Sequence, residues 1–161
     1  MKSSLLILFL AARVFAQDQA NAPSQPIPFS HKQHATEAHL KCNECHNMPP
    51  SGEVETIPKA KSCMACHQTI KADSSDIKYL REYAESNRPV PWVRVYELPA
   101  FVYFSHKVHL DSGASCQTCH GPVAERDRLW RETDINMGGC VACHGANKAS
   151  TNCGICHDIQ N

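Results

Sequence analysis

The sequence predicts a mostly irregular fold with short α-helices, little or no β-sheet, and a core supplied by prosthetic groups rather than aliphatic side chains. Three observations carry that prediction. Apolar residues make up 42% and aromatics 7% of the 161 residues, which is thin for a conventional core. Ten cysteines accompany ten histidines. All ten cysteines fall into one repeated motif: Cys42-Asn-Glu-Cys45-His46, Cys63-Met-Ala-Cys66-His67, Cys116-Gln-Thr-Cys119-His120, Cys140-Val-Ala-Cys143-His144 and Cys153-Gly-Ile-Cys156-His157. C-x-x-C-H is the attachment signature of c-type haem. The expected fold is therefore haem-cored, with five covalently attached haem c groups and their irons.

The spacing follows from the chemistry. Two thiols one helical turn apart can each add to a vinyl group of one porphyrin, and the adjacent His then lies under the iron as proximal ligand. Zinc ribbons and thioredoxin-like sites also use C-x-x-C. Neither needs a His at the same offset five times, and a disulfide scaffold would not pair its cysteines so regularly.

Charge and composition exclude several classes. Sixteen basic residues balance sixteen acidic ones, which argues against a nucleic-acid binder. The composition also excludes a transmembrane bundle, a coiled coil and a collagen-like chain.

The N-terminus, residues 1–16, reads as a signal peptide. Lys2 precedes an apolar run from Leu5 to Ala12, and Val14-Phe15-Ala16 offers a cleavage site. Arg13 interrupts the run, and a membrane-spanning helix needs about 20 apolar residues. The expected mature chain is periplasmic, lacks a transmembrane helix, and carries 14 basic and 16 acidic residues. Retention as an uncleaved anchor is the alternative. Residues 17–28 (QDQANAPSQPIP) read as a flexible leader.

The five histidines outside the motifs are His31, His34, His39, His106 and His109. Two pairs share a frame, Phe29-Ser-His31-Lys-Gln-His34 and Phe104-Ser-His106-Lys-Val-His109. Each frame lies shortly upstream of an attachment motif, so the chain reads as an internal duplication. A two-haem module spans 29–71, and a three-haem module spans 101–161. Residues 72–100 hold a helix, with Ile77, Leu80 and Ala84 at helical spacing, followed by a proline-stiffened connection. Trp92, Val93, Val95 and Tyr96 on that connection are expected mostly to pack inward. Pro122–Thr133 (PVAERDRLWRET) is charged and reads as a solvated helix between haem sites, or else as a docking face.

The frame followed by C-x-x-C-H resembles the class III multihaem cytochromes c. The resemblance implies that His31 serves the haem of His46 and His34 that of His67. By the same rule His106 serves the haem of His120 and His109 that of His144. The haem of His157 is left without a frame partner. In three-haem relatives a His shortly before the second-last motif fills that role, and here the corresponding stretch Asn136-Met137-Gly-Gly-Cys140 offers Met137 instead. His39 is the rival sixth ligand, and packing is the plain alternative for Met137. Met/His ligation would make that haem the high-potential end.

The block from Pro89 to His106 (PVPWVRVYELPAFVYFSH), with Cys116–Gly121 and Asn136–Cys140, looks like the pentahaem subunit of alternative complex III and related quinol-oxidising complexes. The resemblance implies a respiratory-chain electron carrier that partners a membrane complex with an iron–sulfur subunit. A multihaem reductase of nitrite or another small oxyanion is the enzymatic alternative, and a haem-storage or sensor domain is a third reading. Catalysis needs an open iron. All five motifs here end in His, and five sixth-ligand candidates are at hand, so an electron-transfer protein rather than an enzyme is expected.

Overall fold

The computed structural model describes residues 22–47 and 57–158. The expected signal peptide lies outside them. The elements in order are a π-helical turn Gln33–Glu37, α1 (Cys42–Cys45), α2 (Ala60–His67), α3 (Ser75–Ser86), α4 (His106–Asp111), α5 (Cys116–His120), a 3-10 turn Val123–Glu125, α6 (Met137–Ala146) and a 3-10 turn Cys153–Ile155. Among the described residues there is no β-strand. Most of these helices are a turn or two long. Helices that short do not persist on propensity alone, so what anchors them decides the fold.

The longest, α3, carries its own boundary signals. Ser74 Oγ accepts from the Ile77 N–H at 3.2 Å, and Asp76 lies in the first turn, where the helix dipole favours an anion. Asn87 closes the helix in the left-handed region at φ 53°, a conformation Asn tolerates. Ile77, Leu80 and Ala84 are buried as their spacing predicts, and Tyr83 joins them. They meet Ala60 and Met64 of α2, together with Ile27 and Val90, with Trp92 and Cys63 at the margin. This is the aliphatic core. Within 101–158 the only buried apolar side chain among the described residues is Trp130, while Phe101, Tyr103 and Val108 are each more than half exposed. A three-motif region with so little aliphatic core needs another source of apolar cover.

Two stretches differ from the sequence reading. The expected flexible leader is tied down from Ala22 onward. Ala22 and Ile27 are buried, Gln25 exchanges two hydrogen bonds with the Val93 backbone (2.8 and 2.9 Å), and the Ala22 carbonyl accepts from Arg128 at 2.7 Å. A polar composition conceals such long-range backbone pairing. Second, Pro122–Thr133 is not a solvated helix. Only Val123–Glu125 turns, and the rest is irregular. Gly121 at φ +70° and Pro122 turn the chain out of α5.

This segment is tied to residues 30–36. Ser30 Oγ donates to Asp127 Oδ1 at 2.6 Å. The Lys32 N–H donates to the Arg126 carbonyl at 3.0 Å, and Thr36 Oγ1 to the Ala124 carbonyl at 2.8 Å. Arg126 makes a two-pronged contact with Glu132 (2.7 and 2.9 Å) and lies 5.0 Å over the buried Trp130 ring. Both charged side chains are largely covered, at 14% and 17% exposure, so each needs the other. Arg126→Ala is expected to cost about 2–3 kcal/mol, because it leaves a covered carboxylate unpaired. Arg126→Lys should recover only part of this, since a lysine lacks the planar fork. The midpoint of denaturant unfolding of the haem-loaded protein reads both.

Candidate haem-attachment sites and their facing histidines

Four of the five C-x-x-C-H motifs lie on or beside a short α-helix. The cysteines of motif one bound α1, motif two ends α2, motif three is α5, and motif four lies within α6. On such a turn, thiols three residues apart share a face. Motif five makes a 3-10 turn instead, with Asn152 Oδ1 accepting from the Gly154 N–H at 2.9 Å. All ten thiols are free.

The two frames fold alike. In the first, the Phe29 ring lies edge-on to His31 (4.8 Å, 85°) and stacks on His34 (4.4 Å, 21°). In the second, Phe104 meets His106 (4.8 Å, 89°) and His109 (4.5 Å, 28°) in the same way. His34 Nδ1 is 2.8 Å from the Ser30 carbonyl, and His109 Nδ1 is 2.8 Å from the Ser105 carbonyl. Each frame therefore presents two imidazoles from one aromatic pivot.

Opposite them stand the motif histidines. The ring centres of His31 and His46 are 6.4 Å apart with planes 5° from parallel, and those of His106 and His120 are 6.4 Å apart at 9°. His34 and His67 are 6.1 Å apart at 57°, and His109 and His144 are 5.9 Å apart at 52°. The four separations lie within 0.5 Å of one another. They fit a metal between the rings: with each nitrogen about 2 Å from a shared metal and each ring centre roughly 1 Å behind its nitrogen, the centres fall about 6 Å apart. Both frames repeat the rule, with one near-parallel and one crossed pair each.

Nδ1 of three motif histidines is engaged by a backbone carbonyl. His67 Nδ1 is 2.9 Å from the Ile70 carbonyl, His144 Nδ1 2.6 Å from the Ser150 carbonyl, and His157 Nδ1 3.3 Å from the Phe101 carbonyl. Donation from Nδ1–H leaves the Nε2 lone pair for a metal. Burial lowers His31 to about 4, with His46 and His34 adding to the effect. Burial also lowers His120, helped by His106 and by His46 from the other module. The lowering favours the neutral imidazole at both positions.

Burial raises four of the thiols, and their neighbours show which motifs adjoin. Cys45 feels Glu44, Cys42 and Cys66, and Cys63 feels Cys45, so motifs one and two are adjacent. Cys119 feels Cys143 and Cys140, and Cys140 feels Cys156. Motif one adjoins motif three through His46 and His120.

The remaining sixth-ligand candidates are placed differently. Met137 opens α6 and is 72% exposed. His39 is exposed on a left-handed turn at φ 57°. The Phe101 ring lies 5.8 Å from that of His157. Tyr96, expected from the sequence to be one of the connection's inward-packing side chains, is a neighbour of motif three. Its ring meets His120 edge-on at 4.7 Å, and its hydroxyl accepts from the Glu132 N–H at 3.0 Å.

Residues 102–158 match the family described as "Cytochrome c7 and related cytochrome c". Residues 10–89 match the "Class III cytochrome C family". The chain is a homologue of the class III and c7 multihaem cytochromes c. These matches support a general electron-transfer role of the kind multihaem cytochromes c perform. The cytochrome is also similar to the "Menaquinone reductase, multiheme cytochrome c subunit" of Nitratidesulfovibrio vulgaris strain Hildenborough. The two are 29% identical over 160 residues, covering 83% of this chain and 76% of that one. Among the described residues, no helix of this multihaem cytochrome is long and apolar enough to cross a membrane.

Proposed function

We propose that the protein is a periplasmic pentahaem cytochrome c, working as a subunit or partner of a membrane quinol-oxidising complex that includes an iron–sulfur subunit. Cys42/Cys45, Cys63/Cys66, Cys116/Cys119, Cys140/Cys143 and Cys153/Cys156 hold five haems by thioethers. His46, His67, His120, His144 and His157 are the proximal ligands. His31, His34, His106 and His109 are the distal ligands of the first four, and Met137 is that of the fifth. The observation that carries this reading is the set of four facing imidazole pairs, two per frame, at one common separation.

When bound, the haem irons supply the one-electron redox change. The chain's own residues do the rest. Phe29 and Phe104 hold each frame's two imidazoles at a set angle. The carbonyls of Ser30, Ser105, Ile70 and Ser150 fix the ring tautomers. The neighbour relations among thiols and rings support a spatial order of motifs two, one, three, four and five, with motifs two and five at the ends. The printed name of the curated relative supports a quinone-linked complex.

The test is the mass of the mature protein, expected to be that of five haems, combined with near-infrared magnetic circular dichroism. Four bis-histidine signals and one weak methionine–iron band are expected. Met137→Ala should abolish that band and lower the highest potential by on the order of 100 mV. Five bis-histidine irons would transfer the last role to His39. A high-spin iron that binds nitrite would favour the reductase.

A further inference from the structure

The two imidazole pairs of the second frame differ in the angle between their planes. His106 and His120 stand 9° from parallel, whereas His109 and His144 are 52° apart. Each ring of the near-parallel pair must be kept from turning about the axis along which it would bind iron. For His106 the neighbour is Phe104, whose ring stands at 89° to it with centres 4.8 Å apart. For His120 it is Tyr96, at 79° and 4.7 Å. Both imidazoles of this pair are thus flanked by an aromatic ring in the T-shaped arrangement such pairs favour.

Tyr96 is tied down in turn. Its hydroxyl accepts from the Glu132 N–H at 3.0 Å. The Glu132 side chain lies against the backbone that follows His120. A Cβ added at Gly121 would fall 3.0 Å from both Glu132 Cδ and Oε2, so glycine permits this close approach. Glu132 is itself fixed by its two-pronged contact with Arg126, at 2.7 and 2.9 Å. The proline-rich connection and the 122–133 segment therefore meet at His120, one against its ring and the other against its backbone. His67, His144 and His157 are oriented by other means, a backbone carbonyl at Nδ1.

We infer that Tyr96 is a positioning residue for the haem of motif three: its ring sets the plane of the His120 imidazole, and its hydroxyl, tied to Glu132, holds that ring in place. The inference rests on the reading that His106 and His120 share one iron, and it adds a residue outside the ligand set. The consequence is electronic. The angle between two axial imidazole planes decides how the iron d orbitals split. Near-parallel planes give a rhombic low-spin ferric signal, and crossed planes give one with a larger g maximum. A side chain that holds a ligand's plane therefore tunes the iron without touching it.

The test is electron paramagnetic resonance of the oxidised, haem-loaded protein. His106→Ala assigns the motif-three signal by removing it. In Tyr96→Leu that signal alone is expected to move to a larger g maximum, because an unsupported His120 turns away from the plane of His106. Tyr96→Phe keeps the ring and loses the hydroxyl's anchor, so it should move the same signal in the same direction by a smaller amount. A purely structural role would lower the unfolding midpoint and leave the motif-three signal of the folded protein unchanged. That result in either variant would overturn the inference, as would equal shifts at every haem. Should Tyr96→Leu load haem poorly, Tyr96→Phe carries the question alone. A wild-type spectrum without any low-spin signal that His106→Ala removes would instead sink the parent ligand set, and this inference with it.

Discussion

His106→Ala is expected to convert one of the low-spin irons to a high-spin form and to move its potential by on the order of 100 mV or more. His106 faces His120 across 6.4 Å with nearly parallel planes, the arrangement of two imidazoles sharing one metal. The exchange leaves the local backbone intact. Ser105 Oγ still caps α4 by accepting from the Val108 N–H, and alanine is the best helix former. Loss of structure is therefore not the expected cause of the change. Electron paramagnetic resonance of the oxidised protein should show one new high-spin signal, and that iron should bind cyanide. His109→Ala should do the same at a different site, that of His144, with its own potential. A spectrum unchanged in His106→Ala would remove the His106–His120 pair from the proposed ligand set. Motif three adjoins motif one through His46 and His120. Electron transfer between the two ends should accordingly slow in His106→Ala more than in a variant at either end.

Gly139→Ala is expected to be the most damaging of the glycine-to-alanine exchanges at Gly113, Gly121, Gly138, Gly139 and Gly145. Gly139 lies in the first turn of α6, immediately before Cys140. A Cβ there would lie 2.2 Å from the Asp134 carbonyl oxygen, which is backbone and cannot rotate away. The 134–136 turn would have to move, and with it the Asn136 side chain that caps the helix by accepting from the Gly139 N–H at 2.9 Å. Overpacking against fixed backbone typically costs about 1–3 kcal/mol, and loss of the cap about 1 kcal/mol more. Because Cys140 is the next residue, haem loading at motif four should fall as well. Gly145→Ala in the same helix is the control. Its Cβ would meet nothing within 4 Å, so it should be neutral or gain up to about 1 kcal/mol of helix propensity. Haem-to-protein ratio and unfolding midpoint distinguish the two variants.

The parts of the fold legible in the sequence are those written in short spacings. Ile77, Leu80 and Ala84 recur at helical period, and α3 buries all three. The C-x-x-C-H motifs specify their attachment chemistry within five residues. The absence of strands among the described residues follows from a chain that is rich in ligand motifs and poor in alternating apolar runs. Tyr83 was missed because its hydroxyl suggests exposure. That hydroxyl is 2.9 Å from the Tyr79 hydroxyl, while the ring fills the core.

Pro122–Thr133 shows the opposite case. Six of its twelve residues are charged, a composition that reads as solvated surface. Its placement depends on Arg126 finding Glu132 and Trp130, and on Asp127 and the Arg126 carbonyl finding Ser30 and Lys32 nearly a hundred residues earlier. No local pattern encodes those meetings. Gln25 and Val93 are another such pair, 68 residues apart.

By itself, then, the sequence determined the five C-x-x-C-H motifs, the repeated histidine frames and the helix over Ser75–Ser86, because each is set by short spacing or by a period of three to four residues. Only the tertiary structure decided how the duplicated halves meet, which rings stand across from one another and at what angle, and that Tyr96 meets His120. Those relations arise from backbone hydrogen bonds and side-chain contacts between distant segments. Their energies depend on burial and approach, which local spacing does not carry.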